Sequence, residues 1–226
     1  MERSTPREAL TGLMEFSGKD LVDAGCGDGK IAHFLAGKGA NVAGLDVKCS
    51  ALEAARAAPS VNNETFIEAP AEAMPFDDQS RDVVLFHNSM HHIDPAAMDK
   101  ALDEARRVLR PGGTLIIAEP RAAGSRYEVG KDVDDEAEVR QAAWAAVEKT
   151  ASSGYAREAE FEFIFERPFA SFEALRDQIC HNEKRRANFQ AHEAEIRAKF
   201  DAMATRRDGA FVLDQPIRLL MLRKTG

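Results

Sequence analysis

Three alternating glycines that end an apolar run constrain the fold of this chain more than any other feature. The run Asp20–Ala24 has the composition of a buried strand, and Gly25, Gly27 and Gly29 follow it directly. From residue 31 to residue 35 the apolar side chains recur at helical spacing. A strand, a tight turn and a helix in this order form the first part of a β-α-β unit, which predicts a parallel sheet.

The alternation of strand and helix continues through the first half of the chain. Further strands are predicted over residues 41–47, 65–69, 82–86 and 114–118, and helices over 7–16, 51–58 and 94–109. Asp94 is the predicted N-cap of the last of these helices, with Pro95 as its first residue. Short apolar strands between helices are typical of a sheet covered on both faces. We therefore predict an α/β, Rossmann-like, doubly wound and mostly parallel sheet.

The second half has longer and more polar connections. Helix-rich stretches are predicted over residues 132–152 and 171–205, and strands over 160–165 and 211–223, which would close the sheet. We predict one domain over residues 1–226, with helical cap insertions at about 121–158 and 169–208 that cover the strand ends where open α/β sheets bind ligands. The alternative is that these helices serve packing alone.

Charge and composition narrow the class of partner. The formal net charge of −8 argues against a nucleic-acid partner, because affinity for nucleic acid comes largely from Lys and Arg that neutralise phosphates. Lys184, Arg185 and Arg186 leave a local basic patch open as an alternative. No stretch has the roughly 18 consecutive apolar residues of a membrane span, and the charged N-terminus does not resemble a secretory signal. The prediction is a cytoplasmic protein.

Three cysteines are too few and too widely spaced to define a disulfide framework. Cys26, Cys49 and Cys180 form no CxxC pair and lie near no group of histidines. We predict reduced thiols and no metal site.

The glycine turn and a later acid suggest a nucleotide-like ligand. Glycines allow the backbone to approach a ligand closely, and the helix that follows offers free amides. The spacing is GxGxG, and Lys30 stands where a dinucleotide fingerprint would continue towards its third glycine. Asp46 ends the second predicted strand, where a carboxylate can accept hydrogen bonds from ribose hydroxyls. The alternative for Asp46 is a turn or helix cap.

Four motifs follow one another in the first half of the chain: LVDAGCGDG, VAGLDV, AEAMPFDDQSRDVV and MHHIDPAAMDKALDEARRVLRPGGTLIIAEP. In this order they resemble the motifs of class I S-adenosylmethionine-dependent methyltransferases, in particular the type 11 group that includes ubiquinone- and menaquinone-type enzymes. The later segments FEFIFERPF and FVLDQPIRLLMLRK are similar to the terminal strand pair of the family. The resemblance implies a seven-stranded sheet with an antiparallel terminal strand, and transfer of a methyl group from S-adenosylmethionine, leaving S-adenosylhomocysteine.

The resemblance also implies a set of cofactor-binding residues. It assigns Asp23 to the methionine amino group, Asp46 to the ribose, and the three glycines to the adenosine and methionine portions. The other implied contacts are Cys26, Val47, Ala71, Glu72 and His87. This sequence departs from the family at Pro70, where an acidic residue often accepts from the adenine amino group. Glu68 or Glu72, together with the Ala71 amide, are the substitutes to test.

Methyl transfer needs a base only when the acceptor carries a proton that must leave. His87 and His91 follow the fourth strand of the motif region, and we predict that they assist in that case. Packing and loop hydrogen bonds are the alternative for His91 and its neighbour His92. Glu119 is predicted to point to the same opening or to be an exposed cap, and His181 to lie on the surface of an insertion helix.

The predicted acceptor is a small molecule, and the methylated N, O or C atom stays open. The alternative from another class is a catalytically silent S-adenosylmethionine-binding module that regulates or scaffolds a partner. The GxGxG spacing disfavours a nicotinamide-dependent dehydrogenase. The oligomeric state stays open, with a homodimer as one alternative.

Overall fold

The computed structural model describes residues 1–61 and 63–225. The chain divides into two compact units, and each is described by itself. The larger unit contains residues Pro6–Glu119, Gln141–Phe161 and Arg218–Gly226, of which Gly226 is outside the described residues; the smaller unit contains Met1–Thr5, Pro120–Arg140 and Glu162–Ile217.

The strands and helices have the following bounds. The strands are β1 (Glu2–Arg3), β2 (Asp20–Ala24), β3 (Asn41–Asp46), β4 (Glu64–Glu68), β5 (Arg81–His87), β6 (Leu109–Pro120), β7 (Tyr155–Phe169), β8 (Thr205–Arg207) and β9 (Ala210–Lys224). The α-helices are α1 (Pro6–Leu13), α2 (Lys30–Ala36), α3 (Cys49–Ala57), α4 (Met98–Val108), α5 (Gly124–Gly130), α6 (Ala137–Ala151), α7 (Phe172–Ile179) and α8 (Glu183–Met203).

The sheet of the larger unit confirms the predicted doubly wound architecture. The predicted number of seven strands is wrong, because the sheet has nine strands among the described residues, with β1 beside β7 and β8 beside β9; the other seven lie in the order β7-β9-β6-β5-β2-β3-β4. The pairs β2–β3, β2–β5, β3–β4 and β5–β6 are parallel. From β2 the chain adds β3 and β4 on one side, and then β5 and β6 on the other side. The order of the strands therefore changes direction between β2 and β5. Open α/β sheets bind ligands at such a switch point, outside the carboxyl ends of the strands.

Apolar residues explain why the central strands form. Leu21, Val22 and Ala24 in β2 are fully buried, as is the run from Val83 to Phe86 in β5. Strands buried on both faces read as continuous apolar runs, which is why sequence pattern located them well. Asp23 is the fourth of the five residues of β2, near its carboxyl end, and pairs in register with both Gly44 and Leu85.

Asp94 caps a helical turn as the sequence predicts, but α4 itself begins three residues later than Pro95, at Met98. The Asp94 side chain accepts a hydrogen bond from the Ala96 amide at 2.9 Å, and Pro95 opens a short 3₁₀ turn that leads into α4. Five residues of α4 face the core of the larger unit at helical spacing: Met98, Ala101, Leu102, Ala105 and Val108. The packing of α4 thereby fixes the end of the segment that connects β5 to this helix.

The smaller unit has its own apolar core, formed by residues of α5, α7 and α8 with parts of β7 and β9. Phe172, Phe189 and Phe200 pack there, with ring centroids 5.4 to 5.7 Å apart. Strand β1 pairs parallel with β7, and β8 pairs antiparallel with β9. The sequence patterns did not predict the two short strands β1 and β8.

Two predicted helical stretches differ in detail from the structure. The stretch 171–205 is interrupted between α7 and α8, where the Asn182 side chain accepts from the Arg185 amide at 2.8 Å and caps α8. His181 is exposed, as predicted, but lies in this interruption and not within a helix. In the stretch 132–152, α6 begins at Ala137, and Ala143 and Val147 belong to the core of the larger unit. None of the described helices has the length and apolar character needed to cross a membrane.

Candidate functional site

A cavity of about 320 Å³ opens in the larger unit near the carboxyl ends of β2 and β3. Five of the residues that the sequence analysis assigned to a cofactor line it: Gly25, Asp46, Val47, Ala71 and Glu72. The other five assigned residues, Asp23, Cys26, Gly27, Gly29 and His87, are not among the described residues that line it. The structure therefore brings five of the ten predicted residues together around one cavity. The other five lie in β2, in the turn after it, or at the end of β5.

The turn after β2 has a shape that glycine makes possible. Gly25 has φ of +77°, and an added Cβ would lie 2.5 Å from the Ser89 Cβ. The amides of Gly25 and Cys26 both donate to the Leu45 carbonyl at 2.8 Å. This pair of hydrogen bonds ties the turn to β3 and leaves the Gly25 backbone at the cavity wall.

Asp46 connects the glycine turn to the end of β3. Its Oδ2 accepts from the Gly27 amide and its Oδ1 from the Lys48 amide, each at 2.9 Å. The Asp46 carboxylate thus caps the turn, which was the alternative reading of this residue from the sequence. A carboxylate offers about four acceptor positions, so both oxygens keep capacity for ligand hydroxyls, and Asp46 also lines the cavity.

Asp23 is a buried acid with an unsatisfied oxygen. The residue is 1% exposed, and no described residue provides a hydrogen bond to its Oδ2. Burial, with a further contribution from the Asp46 charge, raises the pKa of Asp23 to about 7. Native proteins satisfy most buried polar atoms, so an unpartnered carboxylate oxygen in the strand that leads to the cavity fits a cationic ligand group.

Cys26 and Gly29 serve packing in this structure. The Cys26 side chain is buried, and an added Cβ at Gly44 would lie 2.8 Å from its Sγ. Burial, then the charges of Asp23 and Asp46, raise the pKa of the Cys26 thiol, which keeps it protonated. At Gly29 an added Cβ would meet the Phe66 ring at 2.9 Å, so helix α2 needs glycine there to pack closely.

Two acids near the end of β4 differ in location: Glu72 lines the cavity, whereas Glu68, the last residue of β4, does not. Pro70 has extended backbone and precedes a 3₁₀ turn over Ala71–Ala73, which brings Ala71 and Glu72 to the cavity wall. Glu68 accepts instead from the Cys49 thiol at 2.8 Å and is not among the described lining residues. Of the two acids proposed to replace the missing acceptor at Pro70, only Glu72 has the required location.

His91, in the segment that follows β5, forms a buried pair with Glu119 near the end of β6. One Glu119 oxygen bonds His91 Nδ1, and the other accepts from the Ser89 and Met90 amides at 2.8 Å. Burial acts to raise the pKa of Glu119, but the His91 and amide hydrogen bonds outweigh it, and the net effect lowers the pKa. Glu119 is thus neither an exposed cap nor a group that faces the cavity. His87 ends β5, and the exposed His92 lines the cavity.

The cavity is electronegative. Among its described lining residues, Asp46, Glu72 and Asp94 carry carboxylates, and Lys48 carries the one opposing ammonium. Negative charge on a concave wall favours a ligand with positive charge.

Several lining residues were not assigned to a cofactor from the sequence. They are Lys48, Ser89, His92, Ile93 and Asp94, with Ala24, Leu45 and Ala69 from the strand ends. Ser89 is buried, and its hydroxyl donates to the Ala24 carbonyl at 2.6 Å. A signal for Ser89 existed in its position two residues after the end of β5, because residues just past parallel strand ends meet at one edge of the sheet.

Comparison with known proteins identifies a similar region. Residues 22–117 match the family model described as a methyltransferase domain. An uncharacterized methyltransferase of Mycobacterium tuberculosis (strain ATCC 25618 / H37Rv) is 37% identical over 112 residues, covering 50% of this chain and 44% of that protein. A fatty-acid O-methyltransferase of Mycolicibacterium smegmatis is 32% identical over 117 residues, 51% of this chain and 41% of the relative. The matches thus span less than half the length of these relatives.

Solved structures resemble the fold over nearly the whole chain. An S-adenosylmethionine dependent methyltransferase from Mesorhizobium loti has a TM-score of 0.56 at 19% identity, covering 96% of this chain and 98% of that one. The 4+2 cyclase SpnF has a TM-score of 0.66 at 17% identity, covering 97% and 80%. At such identities the likeness shows the fold alone.

Proposed function

We propose that this chain, whose residues 22–117 match the methyltransferase domain model, transfers a methyl group from S-adenosylmethionine to a small-molecule acceptor. The observation that carries the proposal is Asp23, a buried carboxylate with an unpartnered oxygen in the strand that leads to an electronegative cavity. S-adenosylmethionine presents an ammonium and a sulfonium, so its positive groups complement these charges.

Each part of the cofactor has a proposed partner in this chain. Asp23 would accept from the methionine ammonium, and Asp46 from the ribose hydroxyls. The backbone at Gly25 and Gly27 would pass close to the ligand. Ala71 and Glu72 would meet the adenine edge, with Glu72 in the role that Pro70 cannot fill. When bound, the cofactor supplies a methyl group already activated for displacement.

The protein's own contribution to the reaction is alignment and exclusion of water. Holding two reactants in line removes much of the entropic barrier of a bimolecular displacement. Where the acceptor carries a proton, we propose that His87 or His91 assists its removal. The contact between His91 and Glu119 favours a positioning role for His91, because it fixes the ring and the amides of Ser89 and Met90 together.

We further propose a cytoplasmic location, a small-molecule acceptor and no nucleic-acid partner. The net charge of −8 is unfavourable for binding to nucleic acid.

Calorimetric titration with S-adenosylhomocysteine tests the cofactor site. Asp46→Ala removes a charge-assisted hydrogen bond, which contributes on the order of 1.5–3 kcal/mol, so affinity should fall about tenfold or more. Asp46→Asn keeps an acceptor for the Gly27 amide and should lose less. Asp99→Ala, an exposed acid of the same unit paired with Lys149, is the control and should bind as the unaltered protein does. Equal affinity in all four proteins would remove Asp46 from the site.

A catalytically silent cofactor-binding protein is the second candidate. Position 70 is a proline, whose side chain offers no acceptor to the adenine. A 4+2 cyclase has a similar fold, so the fold alone does not establish methyl transfer. Cofactor binding without transfer to any component of a cell extract would favour this candidate.

A further inference from the structure

The smaller unit contains an arginine cluster that the proposed function does not use. The cluster consists of Arg126 from α5, Arg140 from α6, Arg167 from β7 and Arg185 from α8. Three of its members, Arg126, Arg140 and Arg185, line a cavity of about 50 Å³ within this unit.

Two guanidinium groups at this cavity have unsatisfied donors. The Nε atoms of Arg126 and Arg140 are buried and have no hydrogen-bond partner among the described residues. The terminal nitrogens of Arg140 do have partners, the Arg121 carbonyl at 2.9 Å and Glu136 at 2.6 Å. Arg185 is likewise engaged by Asp134 and Glu136. Buried donors of charged groups are rarely left without an acceptor, so these two Nε–H groups fit a ligand that supplies acceptor oxygens.

The cavity carries excess positive charge. Its described lining includes four cationic side chains, Arg126, Lys131, Arg140 and Arg185, against the two carboxylates of Asp134 and Glu136. Burial, then the charges of Arg167 and Arg140, lower the pKa of Arg126 to about 10. Arg126 stays protonated at neutral pH, and an incoming anion would relieve the repulsion among these cations.

Gly130 provides the space that the Arg126 guanidinium occupies. An added Cβ at Gly130 would lie 2.5 Å from Arg126 Nη1. Since Gly130 is four residues after Arg126, the two lie on one face of α5. Any larger residue at position 130 would displace the guanidinium from its present location.

We infer that the smaller unit binds the carboxylate group of a small organic ligand between Arg126 and Arg140. The planar fork of a guanidinium matches the two oxygens of a carboxylate. A cavity of about 50 Å³ has room for only a few atoms, which suits a planar carboxylate better than a tetrahedral phosphate. This inference is independent of methyl transfer.

Nuclear magnetic resonance of the arginine Nε–H groups tests the inference. The ¹⁵N-labelled full chain is titrated with sodium acetate at constant ionic strength against sodium chloride, and in parallel with inorganic phosphate. We expect a saturable shift of the Arg126 Nε–H resonance with acetate, and a smaller or absent effect with phosphate. Arg126→Gln assigns the resonance. Arg176→Gln, an exposed arginine of the same unit that is paired with Asp177, should leave the acetate response unchanged.

Gly130→Ala keeps every charge and moves only the Arg126 guanidinium, so it should weaken acetate binding about tenfold or more. If Arg126→Gln does not fold, Arg126→Lys takes its place and Gly130→Ala carries the test. If phosphate but not acetate shifts the Arg126 Nε–H resonance in a saturable way, the site binds phosphate and the inferred carboxylate site is wrong. The absence of any saturable shift, or unchanged acetate affinity in Gly130→Ala, would overturn the inference.

Discussion

Asp23 makes the stability of the folded protein depend on pH. Its pKa is about 7 in the folded state against an ordinary value of 3.8, so the folded state retains a proton that the unfolded state has released. The free energy of unfolding therefore falls as the pH rises from 3.8 towards 7. A shift of this size corresponds to at most about 4 kcal/mol above pH 7. The same ionised carboxylate is what an ammonium would stabilise.

Asp23→Asn should increase the free energy of unfolding at pH 8, because the amide resembles the protonated acid and carries no charge. The gain should shrink as the pH falls to about 5. Urea unfolding at the two pH values measures both effects. The variant should also bind S-adenosylhomocysteine more weakly at pH 8. If it is no more stable than the unaltered protein at pH 8, the raised pKa of Asp23 is wrong.

Substituting His87 or His91 by Asn should lower turnover more than cofactor affinity when the acceptor must lose a proton. Glu119→Gln is the matched variant for His91, since it keeps an oxygen acceptor for the Ser89 and Met90 amides and removes the charge beside the ring. If His91 has a positioning role, Glu119→Gln should shift the pH profile of kcat. Full turnover with an unchanged profile in all three variants would leave these residues a packing role only.

At the scale of elements, the turn after β2 needs glycine for two different reasons, a left-handed backbone and a close neighbour. Gly25 and Gly27 both have positive φ, +77° and +56°. Only Gly25 also lies against a neighbour, since an added Cβ there would be 2.5 Å from the Ser89 Cβ, whereas Gly27 has nothing within 4 Å. The two positions therefore distinguish backbone strain from steric overlap.

Gly27→Ala should cost about 1–2 kcal/mol of unfolding free energy from the left-handed backbone alone. Gly25→Ala should cost clearly more, because β5 and the segment after it must move as well. Chemical denaturation of both variants gives the comparison. An equal loss of unfolding free energy in the two variants would show that the segment around Ser89 moves at little cost and does not fix the turn.

Apolar strands of the larger unit were predictable element by element, and the bounds of β2 match the expectation in full. Burial on both faces makes these strands continuous apolar runs, so the pattern is strong. The break between α7 and α8 was missed because Asn182 is one polar residue in a polar stretch, and only its contact with the Arg185 amide identifies it as a cap. Ser89 was missed for a related reason, since a hydroxyl in a loop carries no periodic signal.

For the whole molecule, the order of the central strands and helices followed from the sequence, and the division of the chain into two units did not. Residues 141–151 of α6 contribute to the core of the larger unit, although the helix begins in the smaller one. Composition does not reveal such a boundary, because Ala143 and Val147 would suit either core equally well.

The cap insertions stay a prediction at this scale, and hydrogen exchange tests it. Segments that admit a ligand belong to the less stable parts of a fold and often close on binding. Amide exchange in the predicted cap helices α5, α6, α7 and α8 should slow when cofactor and acceptor are both present, beyond the effect of cofactor alone. Protection confined to the turn after β2 and to the end of β3 would mean that these helices serve packing or an oligomer surface.

Transfer of a labelled methyl group tests the central claim most directly. The full chain is incubated with S-adenosylmethionine that carries a deuterated methyl group and with a small-molecule extract, and mass spectrometry searches for a product that bears the label. We predict a labelled small molecule and S-adenosylhomocysteine in equal amounts, both reduced in Asp46→Ala. Bound cofactor with no labelled product from any extract would contradict the account.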